Sequence, residues 1–191
     1  MSGPGAELPE WLTAGGRCQQ PDRVSCGATV LVVARMLADP ALSAPLTRSR
    51  EAFAAEVRRT HRELTGVLDG VGLAQIPWPR ALGTPPWSLG RALTGVRRLV
   101  PARWGSDSLW ESTRASLEVG AVVPWYVGSR RLPRHVVLVV AADGDSVQVF
   151  EPGTGRVNRV ADRDVAGQRM RGAGWPVCWF GLPLAQSARA A

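Results

Sequence analysis

The pattern of apolar positions divides the chain into a helical first part and a strand-rich second part. Cys26 to Pro40 is an almost unbroken apolar run, Cys-Gly-Ala-Thr-Val-Leu-Val-Val-Ala-Arg-Met-Leu-Ala-Asp-Pro. Its β-branched valines suit a buried strand as well as a buried helix. Ser25 as a possible N-cap and the helix-favouring stretch Ala34 to Ala38 tip the expectation to helix, with Pro40 as its stop. Arg50 to Leu68 repeats Phe53, Val57, Leu64 and Leu68 at helical spacing with charge on the opposite side, which predicts a surface helix carrying His61 as a solvated residue. Gly70 to Pro86 is rich in glycine and proline and reads as loop. Pro86 to Thr94 reads as a short helix with proline in its first turn, and Ser106-Asp107 opens another that runs to about Glu118, with Glu111 early in it for the dipole.

After Gly120 the texture changes. Ala121 to Val127 and Arg134 to Ala141 are apolar and β-branched, as buried strands are. Asp143-Gly144-Asp145 signals a turn, followed by alternation through Val147 and Val149. Pro152 to Gly155 forms a second turn before a strand over Arg156 to Val160, and Val177 to Leu182 closes the set. N-terminal helices followed by an antiparallel sheet make an α+β domain. Residues 1–16, rich in Gly and Pro, are expected to be a flexible, extended lead-in. Residues 17–185 then form one domain and 186–191 a flexible tail, with no internal repeat.

A chain of 191 residues with 45% hydrophobic and 20% charged positions has ordinary globular composition. It contains no apolar run of the length a membrane helix needs, and Met1 to Glu10 lacks the basic start and apolar stretch of a secretory signal. The expectation is a soluble, cytoplasmic protein without membrane insertion. The formal charge is +7, carried entirely by arginine. That fits coding bias in a GC-rich genome. The pairs Arg58-Arg59, Arg97-Arg98 and Arg130-Arg131 are scattered, without the basic stripe that tracks phosphates. No nucleic-acid partner is expected; an acidic peptide partner stays open.

Cysteines at 18, 26 and 178 and histidines at 61 and 135 are too few and too badly spaced for structural zinc, and three cysteines make no disulfide framework. They do allow a thiol nucleophile with an imidazole base. Cys26 stands at a predicted helix N-terminus, where the dipole and free N–H groups favour a thiolate and can hold an oxyanion. Gly27 behind it leaves room for a substrate backbone. Gln20, on the loop that feeds this helix, offers an amide donor to the same oxyanion; Gln19 replaces it if the loop register differs by one. His135 opens a strand, and Glu151 closes the next. The intervening turn brings the carboxylate alongside the imidazole if the strand register is right. Cys178, within an apolar strand, and Cys18, with no base nearby, read as structural; a resolving-thiol role for Cys18 needs it close to Cys26. Trp125, Trp175 and Trp179 are candidate walls of a peptide groove.

Gln20-x5-Cys26-Gly27-Ala28, His135 with its apolar run, and Phe150-Glu151-Pro152-Gly153-Thr154-Gly155 together resemble the bacteriocin-processing peptidases of the papain-like superfamily. Those enzymes cleave double-glycine leader peptides. The resemblance covers residues 20–30 and 120–157. It implies a papain-like fold in which Gln20 is oxyanion donor, Cys26 nucleophile and His135 base, and in which Glu151 stands where that family has aspartate. It implies a peptide or protein substrate and no metal or organic cofactor. Superfamily relatives include amidases and acyl-transferring enzymes, and a catalytically silent domain that only binds a peptide or partner is the alternative.

Overall fold

The computed structural model describes residues 8–69, 72–102, 106–166, 170 and 174–185. Seven helices and six strands are present among them: α1 Glu10–Thr13, α2 Cys26–Ala38, α3 Pro40–Arg48, α4 Arg50–Thr65, α5 Pro86–Ala92, β1 Val100–Pro101, α6 Ser106–Glu118, β2 Val123–Gly128, β3 Pro133–Asp143, β4 Ser146–Glu151, β5 Arg156–Ala161, α7 Asp162–Ala166 and β6 Val177–Gly181. The strands form one sheet in the order β1-β6-β2-β3-β4-β5, with every pairing antiparallel.

Helices cover both faces of this sheet. On one face α2 packs on β3, and the core of Val30, Leu31, Phe53 and Val57 meets Tyr126, Val136, Leu138 and Phe150. On the other face Leu109 and Trp110 of α6 meet Val123, Trp125, Val137 and Val149. Double coverage explains why β3 reads as a continuous apolar run rather than an alternating one. The expected helices-on-sheet arrangement therefore needs a second helical layer, and the mixed α+β class stands. Trp125 is fully buried, with its indole N–H donating to Thr113 Oγ1 at 3.1 Å. It is core and cannot wall a groove.

The helical reading of the Cys26 run holds. Pro40, however, does more than stop α2. Asp39 caps the next helix by accepting from the Ala41 N–H at 2.8 Å, and Pro40 takes its first turn, so α3 follows at once. Ser49 caps α4 through the Ala52 N–H. That helix ends at Thr65, and Leu68 lies outside it, 55% exposed.

His61 is not solvated: it is buried, because four residues from Val57 it falls on the same apolar stripe. The expected lead-in is also partly folded. Glu10–Thr13 is helical, Leu12 is buried in the core, and the Gly16 N–H donates to Gly155 O. The proposed tail, 186–191, lies outside the described residues. No helix among the described residues is long and apolar enough to cross a membrane.

Candidate functional site

Cys26 is the first residue of α2, with Ser25 at the N-cap. Ser25 is fully buried, and its hydroxyl caps nothing; its carbonyl accepts from both the N–H and the hydroxyl of Thr29. First-turn N–H groups of a helix have no intrahelical acceptor, so the end of α2 beside Cys26 keeps its donors.

The loop that delivers Cys26 is fastened to the turn between β4 and β5. The Gln20 N–H donates to Pro152 O and the Gln19 side-chain amide to Gly153 O, both at 2.8 Å. Arg50 in turn donates to Gln19 Oε1 at 3.2 Å. Gln19 thereby braces the loop through both ends of its amide. Gln20 gives one amide hydrogen to Asp22 O at 2.7 Å, while its Oε1 is buried without a partner. Its second amide hydrogen remains available to an incoming acceptor.

His135 lies on β3 and Glu151 ends β4. The register sets Leu138 opposite Phe150, which carries Glu151 towards the start of β3. His135 Nε2 is 2.6 Å from Glu151 Oε1, and both side chains are about nine-tenths buried. The Gly153 N–H also donates to Glu151 Oε1 at 2.8 Å. A side chain at Gly153 would crowd the carboxylate, since an added Cβ would stand 3.2 Å from Oε1. The turn after β4 thus holds the carboxylate toward the imidazole.

The remaining ring nitrogen of His135 is free for Cys26. Burial disfavours the imidazolium, but hydrogen bonds from the ring to Cys26 and Glu151, and the negative charge of both, outweigh it and raise the ring to about 9. At neutral pH His135 is therefore a cation beside the sulfur, the setting that favours a thiolate. The ring of Trp175 lies 5.7 Å from that of His135, tilted by 31°, so this tryptophan does border the site. Trp179 instead donates its indole N–H to Ser129 O.

Two further residues escaped the sequence reading. Tyr126 is buried beside Cys26; burial, and then the charge of Cys26, keep its phenol neutral, and its hydroxyl donates to Thr84 O at 3.1 Å. Thr84 is packed into the space that Gly27 leaves: a Cβ on residue 27 would lie 2.6 Å from Thr84 Cβ. The expectation that Gly27 makes room for a substrate backbone is corrected accordingly. Glycine is required there by a neighbouring threonine, and the only hint in the sequence was a glycine early in a helix.

Cys18 and Cys178 are free, buried and inert. Burial pushes Cys18 to about 12 despite the nearby Arg17, and raises Cys178 further still. His61 is lowered by burial, which outweighs a hydrogen bond to the Gly83 backbone and the charge of Asp22. A surface concavity of about 320 Å³ is lined by α2, α4 and α5, and another of about 540 Å³ by α5, residues of the 95–99 segment and Leu182; neither is lined by Cys26, His135 or Glu151. Among the described residues, no three His, Cys, Asp or Glu side chains gather as a metal site.

Comparison with family models and with characterised proteins finds no match for this chain. Among solved structures, the crystal structure of the Pseudomonas avirulence protein AvrPphB is similar at 10% identity and a TM-score of 0.43, over 83% of this chain and 89% of that one.

Proposed function

We propose that this chain is a papain-like cysteine hydrolase that cleaves an amide bond in a peptide or protein. What supports the reading is the buried His135–Glu151 pair at 2.6 Å, with Cys26 at the start of α2 and the imidazole raised to about 9 by hydrogen bonding and charge from Cys26 and Glu151 against the cost of burial. The Cys26 thiolate attacks the scissile carbonyl, forming a C–S bond and moving the carbonyl pair to oxygen. The first-turn N–H groups of α2 and the second amide hydrogen of Gln20 hold that oxyanion. His135 gives its proton to the departing amine, then takes one from the water that hydrolyses the thioester. Glu151 keeps the ring oriented and stabilises its charge. The motif resemblance directs this chemistry to leader-bearing peptide precursors.

The test is Cys26→Ala, assayed with intact-mass detection of labelling by a peptide vinyl sulfone. Loss of both hydrolysis and labelling is expected; hydrolysis that persists in the variant removes the proposal.

One observation favours a second reading, a domain that binds a peptide without cutting it. Cys26 is only 4% exposed, whereas the 540 Å³ concavity is open and partly apolar, lined by Pro86, Trp87, Val96 and Leu99 beside Arg91 and Arg97. Peptide binding that is lost in Trp87→Ala and unchanged in Cys26→Ala, with no cleavage by the parent protein, selects it.

A further inference from the structure

Thr84 is 6% exposed, and its hydroxyl is buried without any hydrogen-bond partner. Such a group is costly to bury unless something else engages it. Its place is specific. Oγ1 lies 2.8 Å from where a Cβ of Gly27 would be, at the first turn of the thirteen-residue helix that begins with Cys26. Its carbonyl accepts from the Tyr126 hydroxyl at 3.1 Å, which fixes the backbone of Thr84. An unspent O–H therefore lies against the first turn of α2, whose own N–H groups are also unspent. Gln20, by contrast, has already given one of its two amide hydrogens to Asp22.

We propose that the Thr84 hydroxyl is a further oxyanion donor, acting with the α2 N–H groups on the negative oxygen formed when Cys26 attacks a carbonyl. This rests on the reading of Cys26 as nucleophile. In the step concerned, the thiolate pair forms the C–S bond, the carbonyl π pair moves to oxygen, and Thr84 donates its hydrogen to that oxygen until collapse expels the leaving group.

The experiment compares two reactions of the same sulfur. Acetylation by 4-nitrophenyl acetate passes through an oxyanion and releases 4-nitrophenolate. Alkylation by iodoacetamide displaces iodide with no oxyanion. Thr84→Val keeps the shape that fills the space at Gly27 and removes the hydroxyl; Thr84→Ser keeps the hydroxyl and removes the methyl.

Thr84→Val is expected to slow acetylation about 10- to 100-fold while leaving alkylation within about threefold. Thr84→Ser should keep acetylation within about threefold of the parent. Equal slowing of both reactions in Thr84→Val, unchanged acetylation in Thr84→Val, or equal loss in both variants each overturns the assignment and leaves Thr84 a packing residue. Circular dichroism of the variants separates these results from misfolding, and a large loss of structure in Thr84→Val also counts against a donor role. If neither reagent modifies Cys26 in the parent protein, it is the nucleophile reading that fails, not the role of Thr84 within it.

Discussion

Glu151 Oε1 accepts twice, from His135 Nε2 at 2.6 Å and from the Gly153 N–H at 2.8 Å, so a single oxygen both orients the imidazole and is itself held by the turn that follows it. Replacing that oxygen is the sharpest test of the pairing. In Glu151→Gln the negative charge goes while the side chain keeps its length. The His135 ring should then titrate below its present value of about 9, as followed by the ring resonances in NMR. The kcat of hydrolysis should drop by about 100-fold or more with a smaller change in KM. An unmoved His135 titration shows that the carboxylate does not govern the ring.

The pH dependence of stability follows from the same pair. His135 is raised from an ordinary value of 6.5 to about 9 on folding. The folded protein holds this proton more tightly than the unfolded chain. The contribution is complete below about pH 6.5 and disappears as pH rises through 9. Thermal midpoints of the parent protein should fall between pH 6.5 and 9.5, and His135→Gln should flatten that part of the curve. A parent curve that rises across this window contradicts a raised imidazole.

Selective labelling distinguishes the three thiols. Burial holds Cys18 and Cys178 protonated at neutral pH, whereas Cys26 faces a protonated imidazole. Iodoacetamide at pH 7 should modify Cys26 alone, as located by peptide mass mapping. His135→Ala should slow that reaction at least tenfold. Modification of Cys18 or Cys178 at a comparable rate shows that the thiols are not set apart by their surroundings.

Gly27 provides a packing test whose sign is unusual. Glycine to alanine inside a helix ordinarily stabilises by up to about 1 kcal/mol. At residue 27 the added methyl meets Thr84 Cβ at 2.6 Å and Oγ1 at 2.8 Å. Gly27→Ala should instead destabilise by about 1–3 kcal/mol in urea denaturation. Thr84→Ala should relieve part of that loss when combined with it. A stabilised Gly27→Ala means that the contact yields without cost.

Local order was readable along the chain, and its errors have physical causes. The helix beginning at Cys26 and the hairpin carrying His135 and Glu151 depend on helix-favouring residues, apolar runs and one turn at Asp143-Gly144-Asp145, all of which are short-range signals, although the Ser25 hydroxyl caps nothing. α3 is hidden in the sequence because Asp39-Pro40 ends one helix and starts another with the same two residues. The polarity of His61 argues for a solvated residue, but its position four residues from Val57 decides its burial.

The sequence by itself determined most of the segments that become helix and strand, and that one thiol opens a helix while one imidazole and one carboxylate stand near the start and at the end of two strands joined by a turn. These are properties of neighbouring residues. Only the tertiary structure decided that Trp125 is interior, that Gln19 braces the loop before Cys26, and that Thr84 fills the space beside Gly27. Each of those depends on groups far apart in the chain meeting at a few ångströms, and no local pattern encodes such a distance.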